Sequence, residues 1–317
     1  MKTNGLLITL ICGLSLLTSC SDSDDSVVNV PDNTNRGERV AVVFDSPSIS
    51  MITRATDVEF ENGNAINITA VNVEETGSDV LESTNYADNV QYVSDGTKFM
   101  AAADPIYQYN LAPLNLVYYA VYPYRSTLSC SPEFIFNVVA NQGTHEKFSS
   151  CDLAMQKLAS NAQNVELELK HMLCNVEIII TGLNLNQKAI SNPRFVNMCY
   201  SSVVNQNTQT VAQNGNYRLA NITPEVISNT NSEYSFHAIV VPQQIEALQH
   251  FVTVNMGGVD KELKSANPVT LVSGHRYRFL CSLNGDGVSS NLSVDFGGID
   301  ETGNKEPSAR EFLTEWE

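Results

Sequence analysis

The sequence has little positive charge. Lys and Arg together number 18 against 35 Asp and Glu, which gives a formal net charge of −17 and an isoelectric point near 4.6. A chain of this charge repels a phosphate backbone, which argues against nucleic-acid binding. Charged residues of either sign are also sparse, at 17% of the chain against roughly 25% in an average soluble protein. Apolar residues nevertheless recur along the whole length, so the composition predicts a folded, acidic protein rather than low-complexity disorder.

Motifs for catalysis and metal binding are missing as well. The sequence contains no GxSxG, no HExxH and no phosphate-binding glycine loop. The acidic pairs Glu74-Glu75 and Asp300-Glu301 could serve as glycosidase carboxylates, but solvated loop charges explain them more simply. Asn284–Gly287 lacks the spaced carboxylates of a calcium loop and predicts a turn. His171 and His237 lie in segments where a structural role is expected. The sequence therefore predicts no enzyme, no metal site and no cofactor.

Cysteines are few and widely spaced. Two of the seven, Cys12 and Cys20, lie near the N-terminus, which leaves an odd number and no disulfide framework. Cys130 and Cys151 could form a bridge if their strands are adjacent, a question that spacing leaves open. The others lie among apolar residues and are predicted to be buried thiols: Cys174, Cys199 and Cys281.

Residues 1–19 predict a lipoprotein signal peptide. One Lys precedes an apolar run from Leu6 to Leu17, which is shorter than the roughly 20 residues that span a bilayer. The ending Leu17-Thr18-Ser19-Cys20 resembles a bacterial lipobox, which implies cleavage between Ser19 and Cys20 and acylation of Cys20, with palmitate among the acyl chains. The acidic run Ser21–Asp25 is similar to the surface-export signal of Bacteroidetes lipoproteins, with a plain acidic linker as the alternative. An acylated Cys20 would anchor the chain stably in the outer membrane, at the cell surface.

The remaining sequence favours an all-β fold. Residues 20–37 are rich in Ser, Asp, Asn and Gly and predict a tether behind the acylated Cys. Beyond it, short segments rich in Val, Ile, Tyr and Phe are separated by Gly, Asn and Pro, a pattern typical of β-sandwiches. The predicted strands include Val40–Phe44, Ala65–Val71, Tyr86–Val93, Thr97–Met100, Leu116–Tyr122, Glu133–Val139, Val165–Leu169, Val176–Thr181, Tyr234–Val241, Val252–Met256 and Tyr277–Leu283.

One short helix and one domain boundary complete the prediction. The helix is expected near 150–159, over Ser150–Ala159, where Leu153 and Lys157 are four residues apart. A break at Asn161–Asn164 follows it and divides the chain into segments of ordinary domain size. We therefore predict two tandem sandwiches, an N-terminal one over residues 38–162 and a C-terminal one, with a C-terminal tail, over residues 163–317.

Several segments resemble landmarks of the fimbrillin family of Bacteroidetes, which includes major and minor fimbrial subunits, and they occur in that family's order. No single landmark is specific for this family, but the occurrence of all of them in the family's order, behind a lipoprotein signal, is specific. Departures such as Lys170 for an aromatic residue and Cys174 for Ser indicate a divergent member. The landmarks are Thr53-Arg54-Ala55-Thr56, the aromatic strand Leu116–Tyr124 that ends in Tyr-Pro-Tyr, Phe136–Gln142, Ser150–Ala154, Val165–Val176, Val241–Gln244 and Gly274–Tyr277.

The resemblance implies two transthyretin-like β-sandwich domains and assembly into cell-surface fimbriae through strand complementation. In that mechanism a protease cuts after an Arg, the first strand is removed, and a neighbouring subunit donates a strand to the exposed groove. Arg54 would be the cleavage residue and Ala55 the new N-terminus, with Val40–Phe44, extended through Ile52, as the removable strand. The alternative is an ordinary loop that contains an Arg. The implied partners are other fimbrial subunits, of the same or a related kind, and a host protein or glycan.

The C-terminal tail is the other half of this hypothesis. Leu292–Phe296 alternates like a strand, and Phe312, Leu313 and Trp316 could fill the groove of a neighbouring subunit. The alternative is that Trp316 packs on its own domain or frays, as chain ends often do.

A second function, from another class, is a surface glycan-binding lipoprotein of a nutrient-uptake system. It would need aromatic side chains on an exposed face, and the dense aromatic cluster includes Tyr107, Tyr109 and the strand around Tyr118. Strand alternation places Tyr118, Tyr122 and Tyr124 on one face and Tyr119 on the other, which indicates core packing before sugar stacking.

Overall fold

β-Strands dominate the protein, as the alternating pattern predicts. The computed structural model describes residues 35–45, 60–82, 85–128, 131–215, 219–265, 267–284, 287–295 and 314–316. In chain order the strands are β1 Arg39–Ala41, β2 Val43–Asp45, β3 Ala65–Asn72, β4 Ala87–Ser94, β5 Lys98–Ala101, β6 Tyr107–Tyr109, β7 Leu116–Tyr122, β8 Glu133–Asn137, β9 Ala154–Ser160, β10 Asn164–Glu166, β11 Lys170–His171, β12 Cys174–Gly182, β13 Ile190–Cys199, β14 Ser201–Asn205, β15 Thr210–Gln213, β16 Leu219–Ile222, β17 Glu225–Asn229, β18 Glu233–Val240, β19 Gln243–Ile245, β20 His250–Met256, β21 Val259–Ser265, β22 Val269–Leu271, β23 Arg276–Asn284, β24 Gly287–Asp295 and β25 Thr314–Trp316. The all-β prediction is confirmed.

The strands form one large sheet and several smaller ones. The large sheet has eight strands in the order β10-β2-β5-β4-β3-β7-β9-β11, and two sheets have five strands each, β17-β18-β12-β23-β24 and β16-β13-β20-β21-β25. A three-stranded sheet, β15-β14-β8, and the pairs β1-β6 and β19-β22 complete the described part. Most neighbours are antiparallel, but β2 runs parallel to β10 and β12 runs parallel to β23.

Two large hydrophobic clusters lie between these layers. The larger one joins the two five-stranded sheets, where the rings of Phe195 on β13 and Phe236 on β18 meet at 5.7 Å. The other lies against the eight-stranded sheet and contains Phe44, Tyr92 and Tyr118. Such facing sheets with interdigitating apolar side chains are the defining arrangement of β-sandwiches.

The chain passes between the two clusters more than once. Phe136 and Leu153, from before the predicted boundary at residue 162, are buried in the larger cluster. Val165 and Leu167, from after that boundary, are buried in the cluster of the eight-stranded sheet. Residues 36–317 form one compact unit. The assignment of residues 38–162 and 163–317 to separate sandwiches stays a prediction.

The helix predicted over Ser150–Ala159 is wrong, because strand β9 occupies that segment. Ala154 is buried in the cluster of the eight-stranded sheet and its neighbour Met155 in the larger cluster. Pairing with β7 along its whole length and burial on both faces override the helical spacing of Leu153 and Lys157. Helices in the described residues are short: α1 Val73–Thr76, α2 His145–Ser149 and a 3-10 turn at Leu185–Lys188.

No helix within the described ranges has the length and apolar character needed to cross a bilayer.

The cysteines in the described part are buried, as predicted for three of them. Cys151, Cys174 and Cys199 are free thiols, and Cys281 is fully buried. The proposed partner of Cys151, Cys130, lies outside the described residues.

A strained turn between β19 and β20 provides a stability prediction. Leu248 has a φ of +62° and a side chain that is 71% exposed, so it has a left-handed backbone without compensating burial. Leu248→Asn is expected to raise the free energy of unfolding by about 0.5–1 kcal/mol, because Asn tolerates this region better than Leu. Urea unfolding measures the change. Ala247→Asn, at the neighbouring exposed position, is the control, and an equal gain there would contradict the explanation.

Candidate functional site

The first strand of the chain, residues 39–45, lies in a groove made by segments distant in sequence. Arg39–Ala41 pairs antiparallel with β6, with Arg39 opposite Tyr109. Val43–Asp45 lies between β5, to which it is antiparallel, and β10, to which it is parallel. We call the surface formed by β5, β6 and β10 the first-strand groove. The prediction of a strand at Val40–Phe44 is confirmed. At its centre the chain passes from the two-stranded sheet of β1 and β6 to the eight-stranded sheet that contains β2.

The crossing occurs at Val42. Its N–H donates to the carbonyl oxygen of Ile106 at 2.8 Å, and the next N–H, of Val43, donates to the carbonyl oxygen of Gln163 at 2.9 Å. The strand therefore satisfies its backbone by pairing with three separate strands and two connecting segments. Taking it away would leave donors and acceptors of all three groove strands unpaired, which is costly where the backbone is buried.

Two apolar side chains anchor the first strand in the core. Val42 is 1% exposed and Phe44 is 0% exposed. The Phe44 ring makes edge-to-face contacts with Tyr92 at 4.8 Å and with Tyr118 at 5.2 Å. Edge-to-face geometry is a favoured aromatic arrangement and adds to the stabilisation that burial supplies.

The hydroxyl groups of these two tyrosines are in different situations. Tyr92 donates to the carbonyl oxygen of Val42 at 3.3 Å and accepts the N–H of Ile106 at 3.0 Å. Burial raises the pKa of Tyr92 to about 12, so the hydroxyl keeps its proton and can donate. The Tyr118 hydroxyl is buried and has no hydrogen-bond partner among the described residues. An unsatisfied buried hydroxyl costs on the order of 1–3 kcal/mol.

Charged groups at the ends of the first strand contribute less. The Arg39 guanidinium lies 4.2 Å from the ring centre of Tyr107, and Lys98 Nζ lies 3.8 Å from Asp45 Oδ1. Both side chains of the second pair are about half exposed, and exposed pairs of this kind contribute less than about 1 kcal/mol. The core side chains of Val42 and Phe44 therefore hold the strand, and the charges border it.

Most residues of the predicted lipidation site, processing site and donor segment lie outside the described residues. This applies to Ser19, Cys20, Arg54, Ala55, Phe312 and Leu313. The backbone of Trp316 is described and belongs to β25, which pairs with β21 of the same chain, Trp316 opposite Leu263. The predicted strand at Leu292–Phe296 corresponds to the end of β24, which pairs with β23.

The aromatic residues suggested for glycan stacking are largely engaged within the fold. Tyr118 is buried in the cluster of the eight-stranded sheet, and Tyr119 is buried on the opposite face, in a small cluster with Val71 and Val117. This alternation confirms the prediction of core packing. One face of the Tyr107 ring is covered by Arg39.

Sequence reasoning missed the residues that form the groove. Tyr92 lies on a predicted strand, but nothing in its neighbourhood indicates that it would contact residues 50 positions away. The parallel pairing of β2 with β10 was equally hidden, because the strand predicted at Val165–Leu169, which overlaps β10, gave no indication of its partner. The alternation of buried Val42 and Phe44 was the one available indication.

Among the residues that the structure describes, no group of three or more His, Cys, Asp or Glu side chains could hold a metal ion. His171 and His237 pair with carboxylates instead. His171 Nδ1 lies 2.6 Å from Asp152 Oδ1, and His237 Nε2 lies 3.0 Å from Glu225 Oε2.

Comparison with known proteins identifies relatives of this fold. The sequence model of a family described as fimbrillin-like matches residues 53–295. A solved protein of Bacteroides uniformis, provisionally assigned to cell adhesion, is 20% identical with a TM-score of 0.62, covering 82% of this chain and 99% of its own. A similarly assigned protein of Bacteroides ovatus is 14% identical with a TM-score of 0.61, covering 80% and 96%. No curated protein matches significantly. At these identities the likeness to solved structures concerns the fold.

Proposed function

The chain belongs to the fimbrillin-like family, and from this premise we propose that it is a non-enzymatic structural and adhesive subunit of cell-surface fimbriae. We propose further that it assembles by β-strand complementation after its first strand has been removed. The observation that carries this proposal is the seating of residues 39–45, whose backbone pairs with three strands and whose Phe44 is wholly buried.

Arg54 is the best placed residue for releasing that strand. Between Cys20 and Phe60 the sequence has three basic residues, Arg36, Arg39 and Arg54. A cut after Arg36 would leave the whole first strand attached, and a cut after Arg39 would leave Val42 and Phe44 attached. A cut after Arg54 would detach all of residues 39–45, so that only noncovalent contacts would hold them. It would also detach the proposed lipid on Cys20 from the subunit.

The first-strand groove is suited to accept a replacement. Main-chain hydrogen bonds supply affinity in β-augmentation, and pockets for alternate side chains supply register. Here those pockets are the ones that Val42 and Phe44 fill, two residues apart. A donor strand that brought an acceptor to the unsatisfied Tyr118 hydroxyl would gain a hydrogen bond that the native strand lacks, and this would favour exchange.

The proposed donor is the C-terminal segment with Phe312, Leu313 and Trp316. On an extended strand Phe312 and Trp316 share a face and Leu313 lies on the other, so two large apolar side chains could enter the groove of a neighbouring subunit. Donation would require Thr314–Trp316 to leave β21, with which it forms only three residue pairs. A subunit that anchors the fibre to the membrane would differ from this polymerising subunit, because it would keep its first strand and its lipid.

The test is intact mass and N-terminal sequencing of the protein isolated from its native cell surface. We expect chains that begin at Ala55 and carry no lipid. Chains that begin at an acylated Cys20 would contradict strand removal and would support an anchor or a separate surface lipoprotein.

A further inference from the structure

A cleft with a volume of about 500 Å³ opens beside helix α2 and the end of β7. Three aromatic side chains line it, Tyr122, Tyr124 and Phe148, together with three carboxylates, Glu61, Glu146 and Asp152. None of its lining residues belongs to the first strand. Its size and its mixture of apolar walls with a few polar groups are those of a ligand site.

Packing from behind holds two of the aromatic rings. The ring of Phe148 stacks on that of His237 at 3.9 Å with an angle of 14° between the planes. The ring of Tyr122 contacts that of Phe60 edge-to-face at 5.3 Å. A ligand would therefore meet an aromatic surface that is already ordered, so little conformational entropy would be lost on binding.

The electrostatic character of the cleft is negative. Among the described residues its lining contains neither Lys nor Arg, and the imidazole of His145, which also lines it, lies 3.6 Å from the carboxylate of Glu225. Burial, and after it the charges of Asp152 and Glu61, raise the pKa of Tyr122 to about 12.

One of the three carboxylates has a partner within the fold. Asp152 Oδ1 lies 2.6 Å from His171 Nδ1, and both side chains are nearly buried. Burial acts to lower the pKa of His171, but the charge and hydrogen bond of Asp152 together raise it above the ordinary value. Glu61 and Glu146 make no ion pair with any described residue, so among the described residues two carboxylates of the cleft are left to pair with a ligand.

We propose that this cleft binds an arginine side chain of a partner polypeptide. A guanidinium is planar and stacks on aromatic faces, and its fork of N–H groups pairs with carboxylates in two parallel hydrogen bonds. Tyr124 and Phe148 supply faces, and Glu61 and Glu146 supply acceptors. A neutral sugar would use the aromatic faces but would bring no positive charge to the two carboxylates. The site is separate from the first-strand groove, so this proposal does not depend on strand exchange.

Isothermal titration calorimetry with acetyl-Gly-Arg-Gly-amide tests the proposal on the full-length protein. The matched probe is acetyl-Gly-citrulline-Gly-amide, which has nearly the same shape and no charge. We expect saturable binding of the arginine peptide and at least tenfold weaker binding of the citrulline peptide. Binding should also weaken as sodium chloride is raised, since the attraction between opposite charges is screened.

Variants locate the binding in the cleft. Glu146→Gln and Glu61→Gln are each expected to weaken binding about tenfold, and Tyr124→Leu about fivefold. Both glutamates are exposed, so the variants should fold. Glu82→Gln removes the same charge from an exposed position outside the cleft and should leave binding unchanged.

Three results of the peptide titrations would overturn the proposal. They are absence of saturable binding, equal binding of the arginine and citrulline peptides, and equal loss with Glu82→Gln and Glu146→Gln. A neutral oligosaccharide such as maltotriose serves as the alternative ligand. If it binds and Tyr124→Leu abolishes that binding while Glu146→Gln does not, the cleft is a glycan site and not an arginine site.

Discussion

Arg54→Ala is expected to abolish processing and fibre formation in the native host. The variant should remain at the mass of the acylated chain beginning at Cys20, because no other basic residue lies between the first strand and Phe60. With the strand still covalently attached, its effective concentration in the groove exceeds that of any donor in solution, commonly reaching about millimolar for short flexible linkers. Electron microscopy of surface fibres and intact mass of the isolated protein measure the two effects.

Two controls separate recognition of Arg54 from damage to the segment. Thr53→Ala changes the adjacent residue and should process normally, and Arg36→Ala removes another arginine of the N-terminal region and should also process normally. Arg54→Lys distinguishes an arginine-specific protease, which would leave it uncut, from one that accepts any basic residue. Fibres of normal length from Arg54→Ala would refute release at this position.

Phe44→Ala should destabilise the uncleaved protein by about 3–5 kcal/mol, the usual cost of truncating a buried Phe. The side chain is 0% exposed and contacts both Tyr92 and Tyr118, so truncation opens a cavity against two rings that cannot both move into it. The midpoint of thermal unfolding should fall by on the order of 10 °C. Urea unfolding of the uncleaved chain, with Arg54→Ala as background, measures the free energy.

The matched control is the next residue. Asp45→Ala removes a half-exposed carboxylate and its 3.8 Å pair with Lys98, and should change the free energy of unfolding by less than about 1 kcal/mol. Similar losses for Phe44→Ala and Asp45→Ala would mean that the first strand is not anchored through the core. The proposal of strand exchange would then lose its structural basis, because the groove would contain no pocket to refill.

Local pattern predicted much of the strand content. Leu116–Tyr122 was predicted with the boundaries observed for β7, and its alternation correctly separated Tyr118 from Tyr119. The same local reasoning failed at Ser150–Ala159, where two apolar faces meet different clusters and leave no alternation of polar and apolar residues to read.

The sequence by itself determined the all-β class, the family and a strand at Val40–Phe44, because the class and the strand depend on local alternation and the family on the order of short landmarks along the chain. Only the tertiary structure decided what that strand contacts. Its pairing with β6, β5 and β10 joins residues up to about 120 positions apart, and such pairing is selected by burial and backbone satisfaction across the whole fold. The cleft proposed to bind arginine has the same origin: Glu61, Tyr124 and Glu146 are far apart in sequence, and folding alone brings them together.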